Sequence, residues 1–510
     1  MRRVLVERNR YVDSVFLMRI GLQLEALDGV SHATVAMGTP ANLDNLAAVG
    51  FAFDDRGPIT PQDLLLALDV DTEEDVAAAH ARLEELLAGA APSDRTTKVR
   101  PASLAEAIEI DPTLNLALIS VPGAYAAREA RKALHQGLHV MLFSDNVSIQ
   151  DEIALKEDAI GRGLLMMGPD CGTAILNGVP LGFANVCRAG AVGLVGASGT
   201  GIQEIASLVH RHGGGLSQAI GTGGRDLSAA VDARMTRFGI DALAADPRTE
   251  VIVVVSKTPA PEVGNRVIEA LAEAGKPGVV SFVGGERRNP AGDILFAETL
   301  ADAALLACRA IDVRLPERST TGASAQAGTP SYPSPGGRLV GLFCGGTLCQ
   351  EAWNLMDRGG FDVRSNVAGD PAKRVHPEEP IDGHVLWDLG DDAFTVGKPH
   401  PMIAPSLRDD EVVRSGEDPS VGLLLVDCVL GYGAHEDPAG SLAEASRAAL
   451  ADAQARGSEL SIVASVTGTD EDPQRRRSQV ETLVAAGVVV ADSNADAARL
   501  AMTRLKGGTP

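Results

Sequence analysis

The chain has 510 residues, a net charge of −23, six cysteines, and 45% hydrophobic but only 3% aromatic residues. That length implies about three to four domains with ample buried cores. The acidity excludes nucleic acid and anionic membrane as main partners and reads as a solvated surface, while cysteines without a C-x-x-C pair point to a reducing cytoplasm.

Met1-Arg2-Arg3 opens like a signal n-region, but Glu7, Arg8, Asn9 and Arg10 interrupt any apolar core, and no stretch is long enough to span a membrane. Residues 1–92 read as a small α/β domain. An apolar-periodic helix (14–27) leads to a strand (33–37), a Thr39-Pro40 break and a helix from Asn42, then a strand (64–70) and a helix (73–87). The stretch 90–97 is a plausible boundary.

From there short apolar strands alternate with helices, the mark of parallel, doubly wound α/β sheets. Strands are expected at 116–121, 140–143 and 164–167 in a Rossmann-like domain (93–188). A flavodoxin-like domain (189–315) follows, with strands at 192–195, 216–220, 251–255 and 278–282. Residues 316–337 lack periodicity and are rich in Ser, Thr, Gly and Pro, so a flexible linker is expected there. A second flavodoxin-like domain (338–507) has strands at 339–344, 385–388, 423–428, 460–464 and 488–491, and is expected to fold independently. Cys344 and Cys349 flank a Gly-Gly turn but lack further ligands for zinc, so no metal is expected. Cys171, Cys187, Cys308 and Cys428 read as packing residues.

The most informative stretch runs from Gly190 to Ser228. A strand at Val192–Val195 enters a turn at Gly196, Ser198, Gly199, Thr200 and Gly201, then a helix from Ile202; a second turn holds Gly221, Gly223 and Gly224. Two such turns at strand C-termini place N–H groups, hydroxyls and a helix N-terminus around one crevice, which suits phosphate or carboxylate. Helix capping is the competing role for Ser198 and Thr200. The turn lacks G-x-S-x-G, because position 200 is Thr. Asp226 breaks the dinucleotide fingerprint G-x-G-x-x-G, and no Walker A loop exists.

The order GPDCG (168–172), AVGLVGASGTGIQE (191–204), AIGTGGRD (219–226), DPRTEVIVVV (246–255) and GKPGVVSFVGG (275–285) resembles the α subunit of succinyl-CoA ligases. The last domain, from FCGGTLCQE (343–351) through DCVLGYGAH (427–435), resembles the C-terminal domain of the β subunit. An α-like part fused to that domain is similar to the FdrA-type acyl-CoA-synthetase-like proteins. Three departures stand out. The family's phosphohistidine segment corresponds to Gly284–Gly292, which contains no histidine, and Ser256-Lys257-Thr258-Pro259 replaces the family's supporting Glu. No ATP-grasp portion precedes the last domain, and the first 92 residues lack the Gly-rich CoA loop.

The resemblance implies a crevice for an acyl phosphate and its carboxylate partner. FdrA-type proteins are associated with oxamate carbamoyl transfer in allantoin breakdown, which needs neither nucleotide nor phosphohistidine. The expected activity is that of a carbamoyltransferase subunit, with no cofactor required and CoA unsupported. An acyl-CoA synthetase and a non-catalytic structural subunit are the alternatives. Expected partners are small acyl phosphates and carboxylates, and an assembly with itself or co-encoded subunits. Candidate catalytic residues are Lys257 and Arg225, to offset charge on the leaving group, and His435 facing from the last domain. Ser198, Gly199, Thr200, Gly223, Gly224, Asn185 and Asp170 are the candidate substrate or phosphate contacts, with Asn146 weaker.

Overall fold

The computed structural model describes residues 1–506 except 11, 13, 54–56, 90–100, 287, 314–336 and 396–398. The expected boundary at 90–97 and all of the expected linker but Gly337 lie outside the described residues. The α/β architecture is as expected: four sheets follow one another along the chain.

The N-terminal sheet is antiparallel, built from Arg2–Glu7, Val30–Met37 and Leu64–Val70, with the last of these in the middle. Its central strand packs Leu64, Leu66 and Leu68 on one face and Leu65 and Ala67 on the other, so both faces are buried. The strand Arg2–Glu7 lies where the sequence resembled an interrupted n-region. A three-stranded parallel sheet follows, from Leu116–Ile119, His139–Leu142 and Met166–Met167.

The third sheet has seven strands, in the order 294–296, 278–283, 251–257, 189–197, 216–221, 173–176 and 179–182. All pair in parallel except the hairpin Thr173–Gly182, whose Asn177-Gly178 turn has φ of 51° and 79° at its two residues. This hairpin belongs to the 93–188 segment in the sequence, yet it extends the sheet of the following segment. The strand 189–197 has consecutive connections leaving it on both sides, a topological switch point that opens at Ser198 and Lys257.

The last sheet is wholly parallel, in the order 363–365, 384–388, 338–343, 421–429, 461–467 and 489–491. Its switch point falls between strands 338–343 and 421–429. One continuous core joins this domain to the preceding one: Ile202, Val209 and Cys308 share a cluster with Leu348, Trp353 and Ala501. Independent folding of 338–507 is therefore not what the packing supports. The helices 199–211 and 300–310 bury their apolar faces partly against the last domain.

Candidate functional site

The helix Gly199–Arg211 follows the strand 189–197 directly, and Ser198 caps it by accepting the Gly201 N–H at 3.0 Å. The Ser198 hydroxyl also lies 2.7 Å from Thr347 Oγ1. Thr347 sits in the first turn of the helix Gly346–Arg358, which leaves the strand 338–343 of the last domain. Two helix N-termini thus meet between the C-terminal edges of two parallel sheets, and their dipoles make one electropositive spot. Ser198 and Thr347 are both buried by this contact, whereas Gly199 is exposed and Thr200 half-buried.

On the last-domain side, Asp427 accepts the N–H groups of Cys344 and Gly345 at 2.7 Å each. The fully buried Arg408 pairs with Asp409 and donates to the Asp427 carbonyl, which pins this loop. Asp388 ends the strand 384–388 beside Gly346. Burial raises its carboxyl to about 6, against the pull of the Lys257 ammonium.

Lys257 ends the strand 251–257, is exposed, and makes no ion pair among the described residues. It also acts on Asp170, whose carboxyl desolvation and the neighbouring Asp145 raise to about 6. Gly223 and Gly224 lie against this loop. Gly223 has φ +87°, and any Cβ there would overlap the Pro169 carbonyl; Gly224 packs on the Asp170 carboxylate. The structure thus gathers Asp170, Gly223, Gly224, Arg225 and Asp388 around Lys257 at the strand ends.

Arg225 is less available than its position suggests. Its guanidinium donates to the Val147 carbonyl at 2.8 Å and lies 2.9 Å from Glu152 Oε2. Behind it Lys156, with no exposed surface, holds Glu152, Asp226 and the Thr222 carbonyl at 2.7, 2.8 and 3.0 Å. Asp226 further accepts from the Thr236 N–H and hydroxyl. This buried quartet fixes the 221–226 turn.

Two candidates sit elsewhere. Asn185 is fully buried and donates to the Leu430 carbonyl and Asp472, so it joins the domains and does not line the crevice. Gln203 and Glu204 continue the same seam, to Leu430, Thr467 and Asn494. His435 accepts the Asp437 N–H through Nδ1 at the start of the helix 438–455, where it shapes a helix entry. Asn146 has φ 53° and lies beside Asp145 near the mouth. Sequence reasoning missed Asp388 and His400. The Nδ1 of His400 accepts the Met402 N–H at 3.2 Å, and its ring stacks on Phe183 with centroids 6.2 Å apart. Burial pushes the Cys171, Cys187 and Cys428 thiols up to about 12, which makes them inert packing groups.

Three family profiles match the chain: "CoA-ligase" over residues 342–504, "CoA binding domain" over 188–285, and "AllF, heavy metal-associated domain" over 1–102. The chain is 42% identical over 504 residues to the Escherichia coli (strain K12) protein YahF, covering 98% of each. It is 30% identical over 189 residues to the mitochondrial succinate–CoA ligase [ADP-forming] subunit alpha-2 of Trichomonas vaginalis, covering 34% of this chain and 58% of that one. It is 28% identical over 213 residues to the corresponding subunit alpha 2 of Archaeoglobus fulgidus, covering 39% and 70%.

Neither group named in those profile descriptions fits the residues present. Residues 1–102 contain no cysteine to hold a soft metal. Glu7, His80 and Glu84 bring ligand atoms within 4.8 Å of one another, but the Arg10 guanidinium already pairs with both carboxylates. In the 188–285 match, the turn hydroxyl that would meet the CoA diphosphate is held by Gly201 and Thr347, and the last domain covers it. No step is derived through either group.

Proposed function

The chain belongs to the FdrA-type acyl-CoA-synthetase-like proteins of the succinyl-CoA ligase superfamily, and on that footing we propose that it transfers a carbamoyl group between carbamoyl phosphate and oxamate. The observation that carries this reading is the exposed Lys257 ammonium, without an ion pair among the described residues, acting on the carboxyls of Asp388 and Asp170 at the strand ends.

In the forward direction the amide nitrogen of oxamate attacks the carbonyl carbon of carbamoyl phosphate. The new C–N bond forms as the C–O bond to phosphate breaks, and the amide proton ends on the released phosphate. Lys257 offsets the charge that grows on the leaving oxygen. Asp388, raised to about 6 by burial, is suited to relay the proton near neutral pH. Arg225 acts by holding the turn against Glu152. The reaction needs no CoA, nucleotide or metal. The substrates are small anions, and the assembly is with further copies or co-encoded chains. Among the described residues no helix is long and apolar enough to cross a membrane.

The test is phosphate release from carbamoyl phosphate by the purified chain. Release that requires oxamate and ignores CoA and ATP supports the reading. Dependence on CoA and a nucleotide would instead assign an acid–thiol ligase, as the names of the α-subunit relatives suggest. Turnover only with co-encoded chains, unaffected by Lys257→Ala, would leave this chain a structural subunit.

A further inference from the structure

We propose that His400 is a catalytic residue of this crevice, its Nε2–H donating to a carbonyl or carboxylate oxygen of the small anionic amide seated between Gly390, Asp388 and Lys257; the proposal rests on the carbamoyl-transfer reading. Three observations carry it, and the first concerns the proton. Because the Met402 N–H donates to Nδ1, the neutral ring must carry its hydrogen on Nε2. Burial lowers the imidazole to about 4, so at neutral pH it is an uncharged donor.

The second is rigidity. The His400 carbonyl accepts the N–H groups of Ile403 and Ala404 at 2.8 and 3.0 Å, and Phe183 backs the ring from the opposite domain. A donor held in this way needs no reorganisation when substrate arrives.

The third is space. A Cβ on Gly390 would overlap His400 Nε2 and come 3.2 Å from Asp388 Oδ1, so imidazole and carboxylate close on the same side of Gly390, and only a glycine lets the imidazole come this near. The backbone at Gly390 is not in the left-handed region, so the glycine is there for room and not for conformation. Among the described residues no hydrogen bond from Nε2 is present, although the ring is largely enclosed. The proton stays on Nε2 throughout: the bond orients and polarises the amide acceptor, and the carbamoyl carbon is attacked by the nitrogen next to it.

The experiment is calorimetric titration of the full-length chain with oxamate and, separately, with inorganic phosphate, beside the carbamoyl-phosphate assay. His400→Phe is expected to weaken oxamate binding roughly 10- to 100-fold, the loss of one hydrogen bond to a charged ligand. His400→Gln should restore most of it, and Gly390→Ala, whose Cβ displaces the imidazole, should weaken oxamate binding and lower the melting temperature while phosphate affinity stays near wild type. Oxamate binding that is lost in the variants supports the proposal even where the wild type fails to turn over carbamoyl phosphate, a result that would sink only the carbamoyl reading. Wild-type turnover with unchanged oxamate affinity in His400→Phe and Gly390→Ala overturns the proposal, as does a wild type that binds no oxamate.

Discussion

Ser198 Oγ and Thr347 Oγ1 lie 2.7 Å apart, so the first turns of two helices on different sheets are tied by one hydrogen bond. Ser198 serves two masters here, since it also caps its own helix through the Gly201 N–H. Ser198→Ala should therefore cost about 2 kcal/mol, a cap of about 1 and a side-chain bond of about 1. Thr347→Val should cost only about 1 kcal/mol. A double-mutant cycle in urea checks this: a coupling of about 0.5–1.5 kcal/mol is expected, and none at all would mean the hydroxyls do not meet in solution.

Lys156 is a sharper stability probe than any residue at the mouth. It is wholly buried between Glu152 and Asp226, so Lys156→Met strands two carboxylates and should cost about 3–5 kcal/mol. Arg225→Ala should cost much less, because the Arg225 side chain is 41% exposed and solvent screens its pairing with Glu152. Denaturant midpoints for the two variants should differ in that order; equal midpoints would show that the quartet is not a buried network.

The shared core predicts that the two halves need each other. Chains of residues 1–315 and 338–510, made separately, each leave apolar surface of helices 199–211 or 346–358 uncovered. They should aggregate alone and recover a soluble 1:1 complex when co-refolded, as read by size-exclusion chromatography. Two soluble monomers would restore the picture of independent domains.

Much of this architecture was legible as apolar runs. Val251–Val255 and Leu423–Cys428 are buried on both faces of their sheets, and such strands read plainly in a sequence. The hairpin Thr173–Gly182 was also readable, through Asn177-Gly178, but it joins its sheet by one antiparallel pairing, Ile175 with Ala219, across 44 residues. The strand Arg2–Glu7 hid because three of its six residues are charged and it lies at a sheet edge. Lys257, Asp170 and the glycine turns were legible as residues at strand ends. Asn185, expected among the substrate contacts, is instead matched to Asp472, 287 residues away, a pairing that no local pattern announces. His400 gave no signal at all, being a lone histidine in an irregular stretch whose meaning comes from Met402 and Gly390.

The histidine tautomer has a further consequence for phosphoryl chemistry. A histidine must offer a lone pair to accept phosphate, but His400 has Nδ1 occupied by the Met402 N–H and a hydrogen on Nε2. The segment 284–292 has no histidine. Incubation with ATP or carbamoyl phosphate should give no acid-labile phosphoprotein, and a phosphorylated histidine found by mass spectrometry at any position would refute this.

Glu351 makes the last prediction, and its sign follows from burial. The side chain is fully enclosed where the two halves meet, accepting the Leu300 N–H at 2.6 Å and the Asn494 amide at 2.7 Å. Desolvation raises it from 4.5 to about 7, aided by the Glu204 carboxylate, and outweighs those two hydrogen bonds. The folded state thus holds a proton that the unfolded chain releases near 4.5. Stability from this site is complete below about pH 4.5 and falls as pH rises toward 7. Glu351→Gln cannot ionise, so its melting temperature should vary less between pH 5 and 7 than that of the wild type, whatever the offset between the two curves. Asp388 acts in the same direction with its raised value of about 6, so the wild-type slope should shrink without vanishing. Parallel curves for wild type and Glu351→Gln would mean that Glu351 is ionised in the folded protein across this range.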